Sequence, residues 1–480
     1  MKNELREKLA ALLSAEDPSL RRRAAEELAE TKGFTPIAAL AAALRDENKG
    51  VRDSALRSLS IIGSENVAHA AVEYIADENI VTRNLAAELL LKLKSSSVGA
   101  LLPYLYDVNQ DVRKFAVDIL GLIGNEQTVD HILPLLDDAD ENVVVSAAEA
   151  LGNIRSTRAV PHLVRIFKLH DFAKTTIAEA LGKIGGDEAS EFLLKYFSAM
   201  VSRQDIDPLV LYAVADSIAL IGSEDALPIL RKSLPSVKGS VRYVLVHAMV
   251  RILERYRHPF GELEELQGDL VHALEYDNIA VKMSAAMALA DMDGVEVTMA
   301  LAGVVGLSEE LDDLVIPILL RRNETFGAIV ELARRGRIVP VKEIITLIGR
   351  VSAGVDYHSL SPQLLDQQLD QLQRAFDFVT TAWKDGNEET RGAVIDTMFR
   401  LDGDRAFEYL SKVTEEPDPW LRIHVIELVA SLENRGISDF IVRFLGDDDE
   451  IVRGVAAATL ASRENNPRLA SAASSPIDHR

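Results

Sequence analysis

One pattern returns along this 480-residue chain at intervals of about 31: an Asp or Asn, two residues, an aliphatic residue, a basic residue, then Ala, Leu and Ile at helical spacing. With the aliphatic residue as origin, copies begin at Leu20, Val51, Thr82, Val112, Val143 and Ala173, in steps of 31, 31, 30, 31 and 30. Further copies begin at Val210, Val241 and Val281, after longer steps of 37, 31 and 40, and at Thr390, Leu421 and Val452, spaced 31 and 31. A period this regular belongs to stacked supersecondary units, none of which can bury its apolar face alone.

Within a copy the apolar positions are +4, +8 and +11 from the origin, as in Ala116, Leu120 and Ile123 after Val112, or Ala55, Leu59 and Ile62 after Val51. These positions share one face of a helix. In the last copy Ala456 and Leu460 hold the pattern and Arg463 breaks it. Three residues before the origin stands Asp17, Asn48, Asn79, Asn109, Asp140, Asp207, Asn278, Asn387, Asp418 or Asp449, and Pro18, Pro208 and Pro419 follow three of them. A short polar acceptor ahead of proline marks an N-cap and a first helical position. Gly63, Gly124, Gly185 and Gly222 come after the last apolar position and read as C-caps. Between consecutive helices lies a second apolar segment, such as Ile132-Leu133-Pro134-Leu135-Leu136 or Leu227-Pro228-Ile229-Leu230. Two helices and short turns in each period give antiparallel hairpins stacked on their neighbours. The expected fold class is all-α, an α-solenoid of about twelve or more helix pairs.

The stretches Ala147-Ala148-Glu149-Ala150-Leu151-Gly152-Asn153-Ile154 and Ala178-Glu179-Ala180-Leu181-Gly182-Lys183-Ile184-Gly185-Gly186 resemble the short bacterial HEAT-like repeat named after phycobilisome lyases. The resemblance covers roughly 1–300 and 385–463 and implies a HEAT-like superhelix. It leaves function open, because repeats of this class are similar to bilin lyases, adaptors and chaperones alike.

The expected division is an N-terminal solenoid over 1–300, an irregular or degenerate helical segment over 301–384, C-terminal repeats over 385–463 and a disordered tail over 464–480. In the irregular part, Leu314 to Leu320 is apolar with an internal proline, and Phe326 to Arg335 reads as a short helix. Ser361-Pro362 opens a longer helix running to about Trp383.

Charge and cysteine content narrow the partners. The 52 basic against 75 acidic residues give a net charge of −23. A field of that sign repels phosphate backbones, so neither nucleic acid nor an anionic membrane is expected as a partner. The absence of cysteine removes disulfides, thiol nucleophiles and thiolate metal sites, and fits a reducing compartment. The charged N-terminal stretch Met1 to Lys8 is not read as a secretory signal, and no apolar run is long enough to span a membrane. A cytoplasmic protein is expected.

Two sets of charged positions recur. A basic residue at +1 is found at Arg21, Arg52, Arg83, Arg113, Lys174, Arg242, Lys282, Arg391, Arg422 and Arg453, and an Asp five residues before the origin at Asp46, Asp77, Asp107, Asp138, Asp205, Asp385 and Asp447. Planar guanidinium forks opposite carboxylates suggest a structural ladder running between repeats. The +6 position lies opposite the core face, and in HEAT-like repeats the helix that carries it lines the concave side. Here it holds Glu26, Arg57, Glu88, Asp118, Glu149, Glu179, Asp216, His247, Met287, Asp396, Glu427 and Ala458, of which eight are acidic. Such a stripe reads either as solvated surface or as a groove that steers a basic partner. Near residues 212–287 the acids give way to His247 and Met287, with Tyr212, Tyr243 and Met283 at +2, a set able to anchor a partner or to be covered by neighbouring chain. Arg321-Arg322 and Arg334-Arg335-Arg337 form a dense basic cluster that reads as solvated helix ends or, less favourably, as a phosphate contact.

No catalytic constellation stands out. None of the ten histidines falls in an HExxH motif, and the chain lacks a Walker loop and a GxSxG elbow. HEAT-like deoxyhypusine hydroxylases carry His-Glu dipeptides for a di-iron centre, and this chain has none; HEAT-like alkylpurine glycosylases use a basic concave face, whereas this one is expected to be acidic. The sequence therefore predicts no catalytic residue, cofactor or metal. It favours a scaffold or adaptor that binds other proteins, ahead of a lyase- or chaperone-like protein handling a tetrapyrrole or client subunit, and ahead of a signalling regulator.

Overall fold

The computed structural model describes residues 7–11, 14–29, 36–203, 207–352, 362–384, 386–412, 417–432 and 436–464. Among them there is no strand, and the chain is an all-α solenoid. Asp205, Asp385, the cap assigned to Ser361 and the tail from 465 onward lie outside the described residues. The chain forms two compact units, Met1–His258 and Pro259–Arg480.

In the first unit the second helices of successive pairs are Pro18–Ala29, Lys49–Ile62, Ile80–Leu93, Gln110–Ile123, Glu141–Ile154, Lys174–Ile184, Pro208–Ile221 and Ser240–Tyr256. Each packs on the next. The first helices of the pairs, such as Ile37–Ala42, Glu65–Val72, Val160–Leu169 and Asp187–Arg203, make a flanking layer. The positions +4 and +8 supply the buried seam: Ala55, Leu59, Ala116, Leu120, Ala147 and Leu151 are fully buried.

The second unit keeps the alternation where the motif is lost. Val295–Ala302 packs on Glu309–Leu319, Thr325–Arg334 on Lys342–Ser352, and the long helix Pro362–Thr381 on Glu388–Leu401. Leu311, Val315 and Leu319 are buried at the spacing of an origin, +4 and +8, and Ser308 caps the helix three residues earlier. A repeat therefore stands 30 residues after Val281, with its Asp, Arg and Ala signature replaced.

All ten Asp or Asn side chains placed as caps accept a backbone N–H from the first turn of their helix. The helix ends are less uniform. Gly63 and Gly124 take the left-handed conformation, with φ of 59° and 72°. Gly222 does not: its backbone is extended, at φ −60° and ψ 142°. A side chain replaces the left-handed turn there, because Arg255 donates to the carbonyls of Ala219, Leu220 and Gly222, all at 2.6 Å.

Interhelical approach is closest at two positions absent from the sequence pattern. Glycine at +9 meets a small residue at +7 of the following helix. A Cβ at Gly121 would stand 2.6 Å from Ala150 Cα, one at Gly152 2.8 Å from Ala180 Cα, and one at Gly182 2.8 Å from Ser217 Cβ. Gly349 meets Thr397 in the same way in the second unit. At three +7 positions a hydroxyl bonds back across the seam: Ser58 to the Ala25 carbonyl, Ser217 to Ala178 and Thr397 to Ile345, each at 2.9 Å.

These contacts set two effects against each other. Alanine is intrinsically better than glycine in a helix by about 1 kcal/mol, whereas overpacking a tight seam costs about 1–3 kcal/mol. At Gly152 the new methyl meets backbone, so Gly152→Ala should lower the thermal unfolding midpoint followed by circular dichroism. Gly454 sits in the Glu450–Glu464 helix with open space around it, and Gly454→Ala should leave the midpoint unchanged or raise it.

Candidate functional site

The turn before each second helix is organised by one carboxylate. Asp46, Asp77, Asp107, Asp138 and Asp447 each accept the N–H of the residue two further on, at 2.8–2.9 Å. At three turns the same carboxylate also takes both arms of an arginine from the preceding repeat. Arg21 grips Asp46 at 2.8 and 2.9 Å, Arg113 grips Asp138 at 2.8 and 2.7 Å, and Arg422 grips Asp447 at 2.9 and 2.8 Å. The Arg113 guanidinium holds the Asp138 carboxyl below the usual carboxylate range against the opposing effect of burial.

Other ladder residues use carbonyls. Arg52 donates to Asp46 and Glu47, Arg83 to Asp77, Arg242 to Leu234, Arg391 to Gly386 and Arg453 to Asp447 and Asp448. Arg52 does not reach Asp77, because Arg45 holds that carboxylate. The Arg52 Nε is left buried without a partner.

The +6 acids differ in how they are satisfied. Glu88 pairs with Lys92 at 2.7 Å and Asp118 with Lys114 at 2.8 Å, both one turn along their own helices. Glu149 and Glu179 are exposed on successive helices and have no ion-pair partner among the described residues. Asp216 is half-buried, and burial pushes its carboxyl up. A shallow cavity of about 290 Å³ opens beside this line, between Asp118, Leu122, Ser146, Glu149 and Asn153. In the second unit, Asp396 Oδ1 lies 2.7 Å from His424 Nε2; that contact pushes the imidazole pKa up against the effect of burial.

His247 is not on the exposed face. It is 7% accessible, in a run from Val244 to Val250 that is buried throughout. A helix apolar on nearly every side is enclosed by its neighbours, so a position counted from one core face gives the wrong environment here. Tyr212 and Tyr243 are half-buried in the first unit, and Met283 and Met287 are half-buried in the second.

Sequence reasoning missed a further role for arginine. Arg322 and Arg463 stand at +11, where an aliphatic residue is the rule. Arg322 donates to the carbonyls of Leu289, Ala290 and Met292 at 2.7–3.0 Å, sealing the end of the Ile279–Leu289 helix. Arg463 does the same for Val429, Ala430 and Leu432 at the end of Pro419–Val429. Both helices have an alanine at the C-cap, Ala290 and Ala430, in place of a left-handed glycine. The only hint in the sequence is an arginine that interrupts the core pattern.

Among the described residues, no group of three or more His, Asp and Glu side chains is placed to hold a metal ion, and no helix is long and apolar enough to cross a membrane.

Residues 6–91 and 98–175 match the family model for HEAT repeats, and these stretches are HEAT-like repeats. No curated protein matches the chain. Similar solved structures include a complex of Kap95 with Nup1 (11% identity, TM-score 0.45, covering 98% of this chain and 74% of that one). Another is Kap95p bound to RanGDP (12% identity, TM-score 0.47, covering 98% and 73%). A third is an engineered protein (18% identity, TM-score 0.29, covering 82% and 98%).

Removing the Asp138 carboxylate breaks both the turn and the rung. Asp138→Ala should cost about 1–3 kcal/mol, since it strands a guanidinium and a backbone N–H. The folded-state pKa of Asp138 is lowered, so its contribution is complete above the unfolded value of about 4 and is lost as pH falls through the lower folded value. The urea midpoint of the wild type should therefore fall below about pH 4 more steeply than that of Asp138→Ala.

Proposed function

We propose that this chain is a non-catalytic interaction scaffold that presents the acidic line on its second-helix layer to a protein partner with a basic surface. The observation that supports this reading is the contrast between two sets of acids. The ladder carboxylates are consumed by backbone N–H groups and arginines. Glu149 and Glu179, on neighbouring helices, are exposed and lack ion pairs among the described residues, beside a shallow cavity that carries Asp118. Carboxylates aligned along a rigid stack raise the arrival rate of a cationic partner and set its register. The net charge of −23 acts in the same direction at longer range. By likeness to HEAT-like repeats, the layer that bears these acids is the concave one. A chain without cysteine suits a reducing compartment, and the cytoplasm is the proposed location.

The test is affinity purification with mass spectrometry on the wild type and on Glu149→Lys/Glu179→Lys, which alters exposed residues and should keep native helicity. Partners rich in Lys and Arg should be recovered on the wild type and released by salt. Their affinity for the variant should fall by about tenfold or more. Equal recovery on both proteins would remove the acidic-groove reading.

A further inference from the structure

The Asp-centred turn is absent ahead of the Glu309–Leu319 helix, as it is in several other repeats, and here a cavity stands beside the cation that such a turn would serve. Asp46, Asp138 and Asp447 lie two residues before the caps Asn48, Asp140 and Asp449 and receive the arginine of the preceding copy. After the Ile279–Leu289 helix the next cap is Ser308, and Gly306 occupies the place of the Asp. The +1 cation of the preceding copy is Lys282. Its Nζ donates to the Leu274 carbonyl and forms no salt bridge among the described residues. Burial pushes the ammonium pKa down, against the opposing effect of the Asp277 and Glu275 carboxylates. At the first rung the corresponding concavity is lined by Arg21 together with Asp46, so cation and carboxylate are both supplied by the chain.

The cavity beside Lys282 has a volume of about 350 Å³. Leu274, Met299, Val304, Leu307 and Leu332 give it an apolar wall. Its charged lining is Lys282, Arg335 and Arg337 with Glu275 and Glu296. Arg337 is held by Glu275 at 3.1 Å and Arg335 by Glu331 at 2.6 Å, which leaves Lys282 as the lining cation without a salt bridge among the described residues. Lys282 is thus the cation of this cavity open to an anionic head, and the volume is at the small end of the ~300–1,000 Å³ typical of ligand pockets.

We propose that this cavity binds a small apolar carboxylate, whose anionic head takes the place of the missing Asp against Lys282 while its hydrocarbon body lies on Leu274, Met299 and Leu332. The same chemistry is offered by a free monocarboxylic acid and by the C-terminus of a peptide that ends in an apolar residue. The site is independent of the acidic line and of the scaffold reading.

Calorimetric titration of the full chain tests it, with octanoate against octanol and with a leucine-terminated peptide against its C-terminal amide. At least one of the two carboxylates should bind, and its neutral counterpart should not; which one binds identifies the source. Lys282→Met should weaken that binding about tenfold or more. Leu307→Asp changes an exposed residue and sets a fixed carboxylate in the wall, and it should weaken binding similarly, which keeps the test open if Lys282→Met misfolds. The proposal is overturned if neither carboxylate binds better than its neutral counterpart, or if both variants, native by circular dichroism, bind as the wild type does.

Discussion

Each second helix must satisfy its end groups inside a stack, where water is partly excluded and the next helix lies against its side. The first-turn amides and last-turn carbonyls of a helix have no partner within it. At the N-terminal end most of these helices solve the problem locally, by an Asn or Asp cap and, in five turns among the described residues, by an Asp two residues earlier that fixes the chain reversal. Where that Asp also receives an arginine from the preceding repeat, one carboxylate closes the turn and ties two repeats together. The same register brings glycine, alanine and serine together at close range along the seam.

What could be read from sequence follows the range of the interaction. The caps are legible because a cap side chain bonds within three residues, so Asn48, Asp140 and Asp418 announce themselves. Helix ends are half legible: Gly63 and Gly124 behave as expected, but Gly222 ends extended because Arg255, more than thirty residues later, takes its carbonyl. Arg322 and Arg463 look like faults in a core pattern and are caps for a neighbouring helix. The repeat at Leu311 escaped notice because its charged signature changed while its buried spacing did not.

The candidate surface was legible as an angle and not as an environment. Counting +6 from the origin finds Glu149 and Glu179, which are exposed. The same count places His247 in solvent, where the structure buries it, because exposure depends on every element packed around a helix and not on its own periodicity. Pairing is also invisible at that level: Glu88 and Asp118 are partly neutralised by lysines one turn away, and Asp396 is hydrogen-bonded to a histidine on the Pro419–Val429 helix.

The arginine that closes the Pro208–Ile221 helix belongs to the following helix, whereas Gly63 closes its helix unaided. The repeats are thus of two kinds, those that finish themselves and those finished by a successor. A chain cut after a self-finished repeat keeps its last helix sealed; one cut after a dependent repeat exposes three carbonyls and frays. Repeats of this solenoid are therefore not interchangeable parts. Their order along the chain is fixed by which helix owes its last turn to the next, and viable places for duplication, deletion or splicing are limited to joints that no side chain crosses.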